Sequence, residues 1–316
     1  IIDEASMIGD DRQNAKLFEN GSLLHDVVQY VSTGDQCKLI FVGDPAQLPP
    51  VHLNISPALD LEELTQFHFD KVFSIQLDAV VRQAQGSGIL HNATLLRNQL
   101  NDQLYDFFKF EVSEYNDILY TNNGMDLFEA IENAFRDSGT DQTVFIVRSN
   151  KRANIYNENI RKRILGLEDD LSVGDQLMVV KNNYFWLAPE SKPGFIANGD
   201  VVQVESIQMR KEIYGFAFAE VTVRLVDYPE EESFDTVLLL ETLTSETPSL
   251  SFEDGNRLYQ EVLKDFNSEK SKYKKFLKVK SNKFFNALQV KYSYAVTCHK
   301  SQGGQWENVF IEKPYL

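Results

Sequence analysis

Long apolar runs, cysteine and positive charge are all scarce in this chain of 316 residues. No apolar stretch reaches the roughly eighteen residues that a spanning helix needs, so no membrane partner is expected. Cys37 and Cys298 are the only cysteines and show no metal-ligand spacing, which reads as two buried free thiols in a reducing, cytoplasmic setting. Lys and Arg number 31 against 47 Asp and Glu, a formal net charge of −16. Such a balance excludes nucleic-acid binding through a general basic surface but leaves room for a local groove. No segment is low in complexity, nothing repeats at a fixed period, and no signal peptide is visible. The chain opens on Ile1 within an expected core strand, so an amino-terminal truncation is expected. The remaining composition, 43% hydrophobic and 25% charged, is that of a globular protein large enough for two or three domains.

Two strand ends carry the chemistry. Lys38-Leu39-Ile40-Phe41-Val42 stops at Gly43-Asp44-Pro45-Ala46-Gln47-Leu48-Pro49-Pro50, which reads as a buried strand ending on a proline-stiffened loop. The opening Ile1-Ile2-Asp3-Glu4-Ala5-Ser6 reads as a second strand ending in paired acids. In one parallel sheet Asp3, Glu4 and Gln47 would share the crevice beyond the strand ends, where open α/β sheets bind ligands. Paired acids there suit nucleotide hydrolysis, one holding Mg²⁺ through its water shell and the other accepting a proton from water. The plainer alternative for Asp3 and Glu4 alone is a pair of solvated strand-end acids.

Periodicity predicts a helix within Gln13 to Val31, a short strand in Phe67 to Leu77, and helices over Gly88 to Gln103 and Met125 to Phe135. Thr143 to Val147 reads as a strand and Asn150 to Leu165 as a helix, giving two α/β layers in series. From Leu171 the pattern changes to short strands at 173–180, 199–204, 217–226 and 236–240, expected to form a small antiparallel barrel or sandwich. Phe252 to Phe285 is a lysine-rich helical excursion, whose charge run reads most simply as a solvated face. Apolar strands at Tyr292 to Thr297 and Val309 to Glu312 close the chain.

Ile2-Asp3-Glu4-Ala5-Ser6, then Gly43 to Val51, then Val81-Arg82-Gln83, then Thr297-Cys298-His299-Lys300-Ser301-Gln302-Gly303-Gly304-Gln305-Trp306 stand in the order of motifs II, III, IV and V of superfamily 1 helicases. The chain resembles the RecD/Dda-like branch of that superfamily, including the alpha subunit of exodeoxyribonuclease V, over nearly its whole length. That resemblance implies tandem RecA-like P-loop NTPase domains, the first incomplete, with an inserted SH3-like β-barrel. The implied division is 1–80 for the first motor domain, 81–170 with 286–316 for the second, and 171–285 for the insertion. It implies ATP and Mg²⁺ as cofactors, single-stranded DNA as partner, movement from 5′ to 3′, and a role in recombination or repair. Asp3 would hold the metal, Glu4 would activate water, and Asp3, Glu4, Asp44, Gln47 and Arg82 would contact the nucleotide. His52, Thr297, His299, Lys300, Ser301 and Gln302 would line the DNA track.

Plainer alternatives stay open for several of these: a surface ion pair for Arg82, a core histidine for His299, a solvated lysine for Lys300. Tyr184 and Trp306 could stack bases, but core packing is the preferred reading of both. The chain also departs from the pattern. It contains no Gly-x-x-x-x-Gly-Lys-Ser/Thr phosphate loop and no motif VI. An interior helicase fragment, inactive by itself, is therefore expected, with an inactive nucleic-acid-binding or scaffold module as the alternative.

Overall fold

The computed structural model describes residues 1–9, 22–50, 53–67, 69, 71–77, 86–102 and 108–312. Two compact units divide between Asn122 and Asn123, so residues 86–122 lie with the first unit rather than with the chain that follows. His52 and Arg82 fall outside the described residues.

In the first unit the helices are α1 (Leu23–Ser32), α2 (Leu61–Thr65) and α3 (Gly88–Asn101). Each begins where a side-chain oxygen caps an orphan backbone N–H: Ser22 accepts from His25, Asp60 from Glu62 and Ser87 from Leu90. Ile2 and Phe41 form a parallel bridge, and Ala5, Ile8, Leu24, Val28, Ala58 and Leu64 form a small core around it. The strand predicted within Phe67 to Leu77 is absent among the described residues. Phe73, Ile75 and Leu77 are 82% to 90% exposed, and without a pairing neighbour alternation alone does not make a strand. Cys37 is exposed rather than buried, in the irregular stretch between α1 and the bridge at Phe41.

The second unit joins two sheets. Helix α4 (Gly124–Asp137), capped by Asn123, leads to β1 (Thr143–Val147) and α5 (Asn150–Asn159), capped by Ser149 and extended by a π-helical turn at Ile160–Ile164. The barrel strands follow: β2 (Gln176–Val179), β3 (Val201–Ile213), β4 (Phe216–Leu225) and β5 (Phe234–Leu239). Then come α6 (Phe252–Lys264), α7 (Lys272–Lys280), β6 (Leu288–Tyr292), β7 (Ala295–Thr297), the short α8 (Cys298–Ser301) and β8 (Asn308–Ile311). The small sheet is parallel in the order β7-β1-β8. Phe145 stacks between Tyr156 of α5 at 4.1 Å and Phe310 of β8 at 5.6 Å.

Strands β2 to β6 close a barrel, β6 pairing antiparallel to β2 and parallel to β5. The single strand expected over Tyr292 to Thr297 is thus two elements. Leu288–Tyr292 closes the barrel past the boundary expected at 285, and Ala295–Thr297 enters the other sheet. Helices α6 and α7 pack on the barrel, with Leu258, Val262, Val279 and Phe284 against Phe216, Phe218, Val237 and Leu239. Where the barrel meets the parallel sheet, a buried ion pair joins Arg161 to Asp175.

Candidate nucleotide and nucleic-acid sites

In the first unit the two predicted strand ends are neighbours. Ile2 N–H donates to the Ile40 carbonyl at 2.8 Å, Val42 N–H to Ile2 at 2.8 Å, and Ala5 N–H to Val42 at 2.9 Å. The two predicted strands are thus only a single parallel bridge in the structure, Ile2 to Phe41, yet it delivers Asp3-Glu4 and Gly43-Asp44 to one edge. Gly43 makes the approach possible. A Cβ there would stand 2.8 Å from Ser6 N and 3.0 Å from Leu59 Cδ1, inside normal contact. Gly43→Ala should therefore lower unit stability by about 1–3 kcal/mol, the usual cost of overpacking. An unchanged urea midpoint would contradict the close approach.

Asp3 is exposed, and its Oδ1 accepts from Glu4 N–H at 2.9 Å. Glu4 sits in the left-handed region at φ 52°, ψ 36°, which side-chain-bearing residues seldom occupy. The turn after it, Ala5–Met7, is held by Ser56, whose buried hydroxyl lies 2.7 Å from both the Ala5 and Ile8 carbonyls. Ser6 Oγ is buried in that turn with no hydrogen-bond partner among the described residues. Gln47 is exposed at the tip of a turn closed by its N–H donating to the Asp44 carbonyl at 3.0 Å. Asp44 is spoken for on both oxygens: Oδ1 accepts from Ala46 N–H at 3.0 Å and Oδ2 pairs with Arg97 Nη2 of α3 at 2.5 Å. Its geometry is that of a loop brace.

The second predicted site starts at the end of β7. Thr297 is in register with Val147 of β1, and Cys298 Sγ donates to the Val147 carbonyl at 3.5 Å. Ser301 Oγ donates to the Cys298 carbonyl at 2.9 Å, and Gly303, at φ 78°, turns the chain away from α8. His299 is exposed, which removes the core-histidine alternative. Trp306 packs beside Val144, Met178 and Val296, as its core reading predicts. Tyr184, on the loop between β2 and β3, is 72% exposed, against its core reading.

Lys300 is half-buried and donates to Asn198 Oδ1 on that loop. Lys291 of β6 donates to the Thr242 carbonyl at 3.2 Å and to that of Ser245. Burial, and then the Lys300 charge, push the Lys291 pKa down to about 8 from 10.5. Burial also lowers Lys300. Between about pH 8 and pH 10 the unfolded chain thus binds more protons at Lys291, and stability rises with pH. Above that the trend reverses: burial raises Tyr292 to about 12, while an unfolded tyrosine ionises near pH ~10. Lys291→Met should flatten the rise in melting temperature between pH 8 and 10.

Among the described residues no group of three or more His, Cys, Asp or Glu side chains could hold a metal, and no helix is long and apolar enough to cross a membrane. A cavity of about 530 Å³ at the β3–β4 turn, lined by residues 212–217 and Glu241, contains none of the predicted site residues.

The comparisons with known proteins meet this geometry at the second site. Residues 292–316 match the UvrD-like helicase C-terminal domain family. The match begins at the last barrel residue and takes in β7, α8 and β8, and it supports a superfamily 1 helicase. An uncharacterized protein of Acanthamoeba polyphaga mimivirus is 22% identical over 360 aligned positions, covering 99% of this chain and 67% of that protein. Sequence reasoning missed Arg97 and Lys291. The first is one charge on an ordinary helix, and the second gains meaning only from the Lys300 charge that folding brings near it.

Proposed function

We propose that this chain is part of an ATP-driven translocase on single-stranded DNA, with tandem RecA-like motor domains and an SH3-like barrel, of the RecD/Dda-like branch. The observation that carries the reading is the parallel hydrogen bonding of Ile2–Ala5 to Ile40–Val42, which brings an acidic strand end beside a polar one. Mg²⁺ characteristically takes one or two carboxylates and fills its other positions with water and phosphate. The exposed Asp3, whose Oδ2 accepts no hydrogen bond among the described residues, fits that demand without a further protein ligand.

In this reading bound Mg·ATP supplies the phosphoryl transfer that drives movement. Asp3 holds the metal's water shell, Glu4 accepts a proton from the attacking water, and Gln47 meets the terminal phosphate. Arg82 adds a positive charge toward the same phosphate. Asp44 acts one step removed, pinning the Gln47 loop to Arg97. On the DNA side Thr297, His299, Lys300, Ser301 and Gln302 offer hydroxyl, imidazole, ammonium and amide groups to phosphate oxygens, with His52 as a further contact. The inserted domain spans 171–292, since Leu288–Tyr292 closes its barrel. A cytoplasmic role in recombination or repair accompanies the reading.

The alternative reading is a nucleic-acid-binding or scaffold module without hydrolysis. ATP hydrolysis by the parent protein, with and without oligothymidylate, separates the two. Strong stimulation by DNA supports the motor. Salt-sensitive DNA binding with no hydrolysis supports the module.

A further inference from the structure

The loop between β2 and β3 folds back on itself. Asn183 and Ile196 form an antiparallel bridge, each N–H donating to the other's carbonyl at 2.8 and 2.9 Å. The next residues inward, Tyr184 and Phe195, therefore face each other, their rings stacked at 4.9 Å and 25°. Phe195 is half-buried and backs the tyrosine, which is 72% exposed. The base of the loop is anchored: Asn183 Nδ2 and Trp186 Nε1 both donate to the Asn286 carbonyl, at 2.9 and 2.7 Å. Tyr184 is thus a ring presented to solvent on a braced support.

That support is tied to the motif at 297–302. Asn198 N–H donates to Asn182 Oδ1 at 2.7 Å, and Asn198 Oδ1 accepts from Lys300 Nζ. Asn182 Nδ2 in turn donates to the Tyr184 hydroxyl at 3.3 Å. One run of side chains therefore leads from a cation to an open aromatic face, with the exposed Lys181 alongside. A cation linked through two asparagines to an exposed ring matches what single-strand grooves use, one for phosphate and one for a base.

We infer that Tyr184, backed by Phe195, is a stacking platform for one base of a single-stranded nucleic acid whose backbone runs over Lys300. The inference rests on the nucleic-acid part of the proposed function and adds a base contact on the barrel loop. A base fits better than an apolar peptide, because the Tyr184 hydroxyl is held by the Asn182 amide and that amide run ends on the Lys300 ammonium.

The test uses this chain, fluorescein-labelled oligothymidylate, and an abasic oligonucleotide of the same length, with anisotropy titrations at several salt concentrations. Tyr184→Leu keeps an apolar side chain at an exposed position, and an unchanged melting curve checks its fold. It should weaken oligothymidylate binding about tenfold or more, leave abasic binding unchanged, and keep the salt slope. Lys300→Ala should weaken both ligands and reduce the slope by about 0.7. If Tyr184→Leu binds oligothymidylate like the wild type, or weakens both ligands equally, the stacking inference is wrong while the nucleic-acid reading stands. If the wild-type chain binds neither ligand at low salt, both are wrong.

Discussion

Glu4→Gln should lower DNA-stimulated ATP hydrolysis by the parent protein about 10²- to 10⁴-fold, the usual share of a positioned general base, while oligothymidylate binding stays within twofold. The amide has the size of the carboxylate but cannot take the proton. Backbone strain gives the experiment a control. Glu4 sits at φ 52°, a conformation that costs a side-chain-bearing residue about 1–2 kcal/mol and glycine little. Glu4→Gly should therefore lose hydrolysis to the same degree yet melt higher than Glu4→Gln. Equal loss with opposite stabilities assigns the defect to the missing base rather than to a damaged turn. Hydrolysis at the wild-type rate in the Gln variant would move the proton acceptor elsewhere.

Arg161→Met should destabilise the second unit by about 3–5 kcal/mol, the cost of leaving a buried charge without its partner. Arg161 and Asp175 are 3% and 0% exposed, and the guanidinium meets the carboxylate with two bonds, Nε to Oδ1 at 2.7 Å and Nη2 to Oδ2 at 2.8 Å. Its other contacts are the Asp169 carbonyl at 2.6 Å and the Tyr292 ring at 4.4 Å. Asp175 also accepts from Ser172 N–H at 2.8 Å and from the Tyr294 hydroxyl at 3.1 Å. Burial works against the Arg161 charge, and the hydrogen bond and charge of Asp175 outweigh it, raising its pKa. Adding Asp175→Asn to Arg161→Met should recover most of the loss, since the stranded charge goes with it while the amide oxygen still accepts from Ser172 N–H. Urea denaturation of the two variants and the pair reads this directly. A double variant as unstable as Arg161→Met would mean that lost packing, not charge, dominates. Because the pair links the π-helical turn after α5 to the start of the barrel, it also holds the barrel to the sheet that carries Thr297.

Local elements were legible wherever a segment carries its own pattern. Thr143–Val147 is the strand its apolar run predicts, and α3 and α4 match their helical stripes, each opened by a Ser or Asn cap. The barrel strands were found from short apolar runs between glycine and asparagine turns, with β3 running longer than expected into its hairpin. Phe67 to Leu77 failed for want of a neighbour, because alternation marks a strand only where another strand receives it.

The candidate sites divide in the same way. By itself the amino-acid sequence determined which residues end the strands at Glu4, Gly43 and Thr297, since acids, glycine and polar residues after apolar runs are chemical facts of the chain. Tertiary structure alone decided that Asp44 braces a loop through Arg97, that Lys300 reaches Asn198, and that Tyr184 faces water. It alone decided that β6 closes the barrel beside β5, although 48 residues separate Leu239 from Leu288. Pairings between distant residues depend on which surfaces meet when the chain closes its long loops, and no local periodicity encodes that meeting.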